Sequence, residues 1–157
     1  MNWGSLFFSA DGRIGQKDFW LAAVILFVFG VLIHAAVVIG TLVWLLSTYC
    51  WICIYSKRLH DTGRSGWTQI LPWVLGLFCL ILGGFALITS ILGALFTGLP
   101  HFVGGMVLGG MGIGAGVFAL SALVHFLFLL WLGLTPGQAG PNRYGPEPGA
   151  PPFAPAV

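Results

Sequence analysis

Long apolar tracts alternate with short polar stretches along this chain, and their spacing predicts the elements. The first tract, Phe19 to Ser56, runs about 38 residues without a charged side chain. As helix, at about 1.5 Å per residue, it would reach nearly 60 Å, twice the roughly 30 Å hydrocarbon core of a bilayer. Two crossings fit with almost no loop between them. Gly40 best tolerates a reversal, which predicts helices near 19–38 and 41–58. The second tract, from Trp67 to Leu134, is likewise uncharged over nearly 70 residues. Thr97, Gly98, Leu99, Pro100 and His101 are its strongest turn signal, which predicts helices near 67–92 and 107–133 joined by a generous connection along the outer interface. Three tightly connected helices also fit the length. Pro72 falls in or just beyond the first turn of the third helix, where a missing N–H matters least.

The expected architecture is all-α. Residues 1–134 would form a polytopic transmembrane helical bundle of about four spans, with five also fitting, and residues 135–157 a Pro/Gly-rich tail. In that tail, TPGQAGPNRYGPEPGAPPFAPAV, proline and glycine oppose helix, and its last third is expected to be disordered.

Composition sharpens this. The chain is 58% hydrophobic and only 6% charged, with a mean hydropathy of +0.99, whereas about a quarter of the residues of a soluble domain are charged. Basic residues then orient it. Arg13 and Lys17 precede the first tract and Lys57, Arg58 and Arg64 follow it, and Lys and Arg accumulate on short cytoplasmic flanks. Both flanks are expected in the cytoplasm, which requires an even number of crossings between them. Arg143 and Glu147 cancel, so the tail is not placed by this rule. The first residues have neither the basic start nor the cleavage pattern of a removable signal, and Trp3, Phe7 and Phe8 read as an interfacial foot.

The glycines near the predicted fourth helix make three small-xxx-small pairs, Gly105 with Gly109, Gly110 with Gly114 and Gly112 with Gly116. Such pairs let helices approach closely; the sharper alternatives are a seam between two copies or a pore-lining face. No Lys-Ser or Lys-Thr follows these glycines, which excludes a phosphate-binding loop.

Three polar blocks frame the apolar helices: FSADGRIGQKDFW at 8–20, KRLHDTGRSGW at 57–67 and TPGQAGPNRYGPEP at 135–148. In this order they resemble the bacterial family called domain of unknown function 805. The resemblance implies a small integral protein of the bacterial cytoplasmic membrane with no assigned biochemical activity. Family members usually have one apolar helix between the second and third blocks, whereas this chain has room for two. The Gly-rich region from Gly93 to Gly116 looks like the addition, and the short turn near Gly40 is a lesser departure.

The candidate site is the polar cluster Arg13, Lys57, Arg58, His60, Asp61 and Arg64, which Asn142, Arg143 and Tyr144 would join if the tail folds back. His60 beside Asp61 suggests acid/base work or a proton relay. Against that, Asp61 can pair with Arg13, Arg58 or Arg64, Gly63 can end the second helix and Ser65 can cap the third, with no nucleophile or metal set alongside. The basic residues would form a cytoplasmic collar attracted to anionic headgroups by on the order of 1 kcal/mol each. Cys50 and Cys53 have a C-x-x-C spacing but fall at lipid depth, so packing is expected rather than a metal or redox site. His34 and His125 lie in or near spans and suit interhelical hydrogen bonds better than an ion path, and Asp, Glu, Lys and Arg are absent from both apolar tracts.

The function expected is that of a non-enzymatic integral membrane protein that binds or organises lipid or a partner, which could be a second copy of the chain. The alternatives are a transport or channel component, and a membrane enzyme using His60 and Asp61. Neither cofactor nor metal is expected. Nor is nucleic acid, since a net charge of +2 comes without a stacking platform.

Overall fold

The computed structural model describes residues 3–33, 37–97 and 100–150. Five α-helices account for most of them: α1 Trp3–Phe8, α2 Gln16–Ile33, α3 Val37–Asp61, α4 Ile70–Thr97 and α5 Pro100–Leu134, with a 3-10 turn at Gly66–Gln69 before α4. Among the described residues there is no strand, and the one isolated bridge joins Asn142 to Gly145. The chain divides into two compact units, Met1–Gln69 with Leu130–Val157, and Ile70–Leu129.

In the first unit α2 lies antiparallel to α3. Phe19, Ala22, Ala23 and Leu26 recur at helical spacing on α2 and are buried, as are Cys50, Cys53, Ile54 and Leu59 on α3. Alanine and cysteine keep these surfaces shallow, so the backbones approach closely, and the Phe19 and Tyr55 rings meet at 6.1 Å. Leu6 of α1, Ile14, Tyr55 and Leu132 are buried as well. Cys50 and Cys53 are free thiols within this core.

The C-terminus of α3 is shaped by Gly63. Its φ of +76° permits the left-handed turn in which Gly63 N–H donates to His60 O and Arg64 N–H to Leu59 O, a Schellman closure of the helix. The chain then re-enters helix at Ser65, whose carbonyl accepts from Thr68 N–H at 3.0 Å. Gln69 Nε2 ties the 3-10 turn back to Ser56 Oγ at 2.7 Å.

The second unit is a helical hairpin. A Cβ added at Gly76 would meet His125, one at Gly83 would meet Phe118 and Gly114, one at Gly114 would meet Leu87, and one at Gly110 would meet Ser90 and the Ala86 carbonyl. Positions rising along α4 thus face positions falling along α5, so the two are antiparallel over a seam of small residues. Gly110 and Gly114 are the glycine pair that faces α4. A Cβ at Gly105, Gly109, Gly112 or Gly116 would meet nothing within 4 Å.

Two helical stretches, Gly66–Gly93 and Val107–Leu134, are long and apolar enough to cross a membrane. Each has 28 residues, about 42 Å of helix, and only 17% and 11% of their most apolar windows are buried. The core helix of a soluble protein would be mostly buried, whereas an apolar surface left open suits lipid contact.

Two expected boundaries move. Gly40 lies inside α3, which begins at Val37, so the chain does not reverse at Gly40; residues 34–36, His34 included, lie outside the described residues. The long connection expected between the third and fourth helices is replaced by helix, because α4 continues to Thr97 and α5 begins at Pro100, with residues 98–99 outside the described set. Proline at a first helical position brings a preset φ and loses no intrahelical bond. The glycines that follow stay helical where Gly110 and Gly114 are packed against α4.

Candidate functional site

Asp61, in the last turn of α3, is the centre of the polar cluster. Arg13 donates to its Oδ1 from Nε at 3.1 Å and from Nη2 at 3.0 Å, while Arg58, one turn earlier on α3, donates to Oδ2 from Nη1. The three side chains are 1–4% exposed. Two guanidinium groups against one carboxylate leave an excess positive charge, which backbone carbonyls take up. Arg58 Nε donates to Leu132 O at 3.2 Å and its Nη2 to Thr135 O. These oxygens lie at the end of α5, where carbonyls lack intrahelical partners and the helix dipole is negative. Gln16 Nε2 takes a third, Gly133 O, at 2.7 Å. Arg13 reaches further along the tail, donating to Gly140 O at 2.7 Å and to Gln138 O at 2.5 Å.

The described part of the tail therefore folds onto the end of α3. Gln138 N–H donates to Asp61 O at 2.7 Å, and Asn142 Nδ2 donates to His60 O at 2.9 Å. Asn142 and Gly145 exchange two backbone bonds of 3.0 Å, and Asn142 Oδ1 accepts from Tyr144 N–H at 2.9 Å, a tight turn that presents the Tyr144 ring. That ring stacks on the His60 imidazole at 3.8 Å and 7°, and the Arg143 guanidinium lies 4.7 Å from its centroid. A Cβ at Gly137 would run into the Asp61 carboxylate, so this close approach requires glycine.

His60 and Asp61 are neighbours in sequence with separate surroundings. His60 Nδ1 sits 3.1 Å from Gly12 O, which assigns the ring proton to Nδ1. Burial lowers the His60 pKa, the Gly12 carbonyl and Asp11 partly offset this, and Arg143 lowers it further. Asp61 meanwhile accepts three hydrogen bonds from arginines. Both of its oxygens are thus taken by guanidinium donors, and the carboxylate serves to hold the cluster together.

The other predicted residues separate. Arg64 does not pair with Asp61; it lies over the Trp131 ring at 4.8 Å. The surface collar is not formed as expected, because Arg13, Arg58 and Lys57 are turned inward while Lys17 and Arg64 stay exposed. The carbonyls of Gly12, Leu132, Thr135, Gln138 and Gly140 belong to the cluster but had no sequence signal, since every residue carries a carbonyl. His125 Nδ1 is 2.9 Å from Ser121 O, a bond within its own helix. Among the described residues no group of three or more His, Cys, Asp or Glu is arranged to hold a metal ion.

Membrane-length apolar helices joined to an interlocked arginine–aspartate–arginine cluster define a class of small helical protein. The family described as "Protein of unknown function (DUF805)" matches residues 7–146, and the chain belongs to it. Escherichia coli strain K12 has a relative, "Uncharacterized protein YiiR", that is 27% identical over 150 residues, covering 89% of this chain and 86% of the relative. The protein of the same name from Escherichia coli O157:H7 matches equally. No solved structure matches the chain.

Proposed function

We propose that this is a four-span protein of the bacterial cytoplasmic membrane, with its N-terminus and tail both in the cytoplasm, that organises lipid or a partner without catalysing a reaction. The observation that carries the proposal is the bonding of Asp61 to Arg13 and of both arginines to the end of α5 and the tail. Three segments so bonded must share one side of a bilayer. Arg13 precedes α2, Arg58 and Asp61 end α3, and Gln138 and Gly140 follow α5, so an even number of crossings separates each from the next. The α2–α3 and α4–α5 pairs supply two each. Lys17 and Arg64, exposed near this cluster, support its cytoplasmic placement by the positive-inside bias. The occupied state of Asp61 favours an organising role over acid/base chemistry, and the bond of His125 within its own helix favours packing over a proton path.

A direct test is recovery of the full chain from bacterial cells after alkaline carbonate washing, combined with disulfide trapping of a Thr62→Cys, Gln138→Cys variant made without the native cysteines. The chain should stay in the cytoplasmic membrane fraction, and the pair should cross-link within one molecule. Release by carbonate would overturn the integral placement. Failure to cross-link would overturn the shared side.

A further inference from the structure

Beneath α1, the groove between α2 and α3 changes character along its length. At one end a cavity of about 280 Å³ is lined by Ser5 of α1, Asp11, Arg13, Asp18 and Lys57. Lys57 is 4% exposed, and its Nζ donates to Ser5 O. Among the described residues both ion pairs belong to Asp61, so no carboxylate lies within pairing distance of this buried ammonium. An ammonium has three donors, and leaving such a charge uncompensated is costly. Asp11 and Asp18 stand in the same wall, outside any ion pair among the described residues, and the Asp11 charge acts on Lys57 only from beyond contact distance. The cavity therefore offers a buried cation and two carboxylates that do not neutralise one another at contact.

Further along the same groove the lining becomes apolar. A pocket of about 200 Å³ lies against Phe8, Leu26, Phe29, Leu46 and Cys50. The helices keep one register between the two ends, with Asp18 and Lys57 at the charged cavity, Leu26 and Cys50 below it, then Phe29 and Leu46. Seven residues separate Lys57 from Cys50, about 10 Å along a helix. The polar headgroup layer of a bilayer is about 5–8 Å deep on each side, so this separation places the cavity at phosphate level when the apolar pocket lies among acyl chains. α1 crosses at the change, anchored at one end by Lys57 to Ser5 O and at the other by Tyr49 OH to Phe8 O, with Trp3 exposed.

We propose that this groove binds one phospholipid with a zwitterionic phosphoethanolamine headgroup. The phosphate would meet the Lys57 ammonium, the headgroup ammonium would meet Asp11 and Asp18, and one acyl chain would lie along Leu26, Phe29 and Leu46. Complementary charge selects the headgroup: an anionic glycerol headgroup leaves the two carboxylates unpaired, and a trimethylated choline headgroup cannot hydrogen-bond to them. The site rests on the membrane-protein reading above and names the lipid it would organise.

The test is native mass spectrometry of the full-length, detergent-purified protein titrated with palmitoyl-oleoyl phosphatidylethanolamine, phosphatidylglycerol or phosphatidylcholine. Phosphatidylethanolamine should bind about tenfold more tightly than either competitor, the scale of one charge-assisted hydrogen bond. Lys57→Met should weaken binding of all three lipids about tenfold, because each presents the same phosphate. Because Lys57 also holds α1, Leu46→Trp provides a second variant, filling the apolar pocket while leaving the charged cavity intact, and it too should weaken binding about tenfold. Asp11→Asn with Asp18→Asn should shift preference toward phosphatidylglycerol. Equal binding of the three lipids by the native chain would overturn the proposal. So would competition by soluble glycerophosphoethanolamine at the concentration of the lipid, which would assign the cavity to a free zwitterion. Either failure would leave the carbonate and cross-linking results standing, so the lipid site and the membrane topology are judged separately.

Discussion

Asp61→Asn keeps the shape of the central side chain and removes its charge, so it isolates what the carboxylate contributes. Three arginine donors converge on its two oxygens, and the arginine side chains are 1% exposed. An amide turns one acceptor into a donor facing a guanidinium and leaves two buried cations with no counter-charge. Removing one member of a buried pair costs about 3–5 kcal/mol. Arg13 and Arg58 each keep carbonyl acceptors in the tail and at the end of α5, which favours the lower end, about 3 kcal/mol. At about 1.4 kcal/mol per factor of ten, opening of the tail should become roughly a hundred times more frequent. Hydrogen exchange of the purified chain reads this out at the amides of Gln138, Asn142 and Gly145, which donate to Asp61 O, Gly145 O and Asn142 O. Amides of the α4–α5 hairpin should keep their protection. If tail protection falls less than about threefold, the carboxylate is not what holds the arginines, and the reasoning fails.

Other expectations follow from the same contacts. Tyr144→Ala removes the stack on His60, worth about 0.5–1.5 kcal/mol, and trypsin should then cut after Arg143 several-fold faster. His60 has a lowered pKa in the folded chain, so the unfolded chain binds its proton first as pH falls; the stability that neutral His60 contributes is complete above its ordinary pKa of about 6.5 and is lost below it. Tail protection should therefore drop on acidification through that range, and His60→Gln should flatten the profile. Gly110→Ala forces a Cβ against Ser90 and the Ala86 carbonyl and should destabilise by about 1–3 kcal/mol, whereas Gly112→Ala meets open space and should stabilise by about 0.5–1 kcal/mol. Thermal unfolding in one detergent compares the two.

The apolar runs made the helices legible because burial in lipid leaves few alternatives to helix. Gly63 was legible as a helix end, since a left-handed residue after a helix is commonly glycine. The pairing of Asp61 with Arg13 or Arg58 was legible too, because few acidic residues are available to balance the basic ones. Which arginines win depends on the fold: Arg64 lies beyond the Schellman turn and is carried to Trp131 instead. Gly40 misled because a glycine that permits a turn does not require one. The inward position of Lys57 was hidden by composition, which counts a lysine as surface charge wherever it points. The cluster's carbonyl acceptors have no side-chain signature at all.

The central claim is that Arg13, Asp61 and the tail share one side of the membrane. A single cysteine placed beyond Tyr144, at Pro146, in a chain without native cysteines, can be probed in intact cells with a membrane-impermeant thiol reagent. Protection in intact cells followed by labelling after permeabilisation is the predicted result. Labelling from outside intact cells would put the tail across the bilayer from the end of α3, require an odd number of crossings between them, and contradict the account.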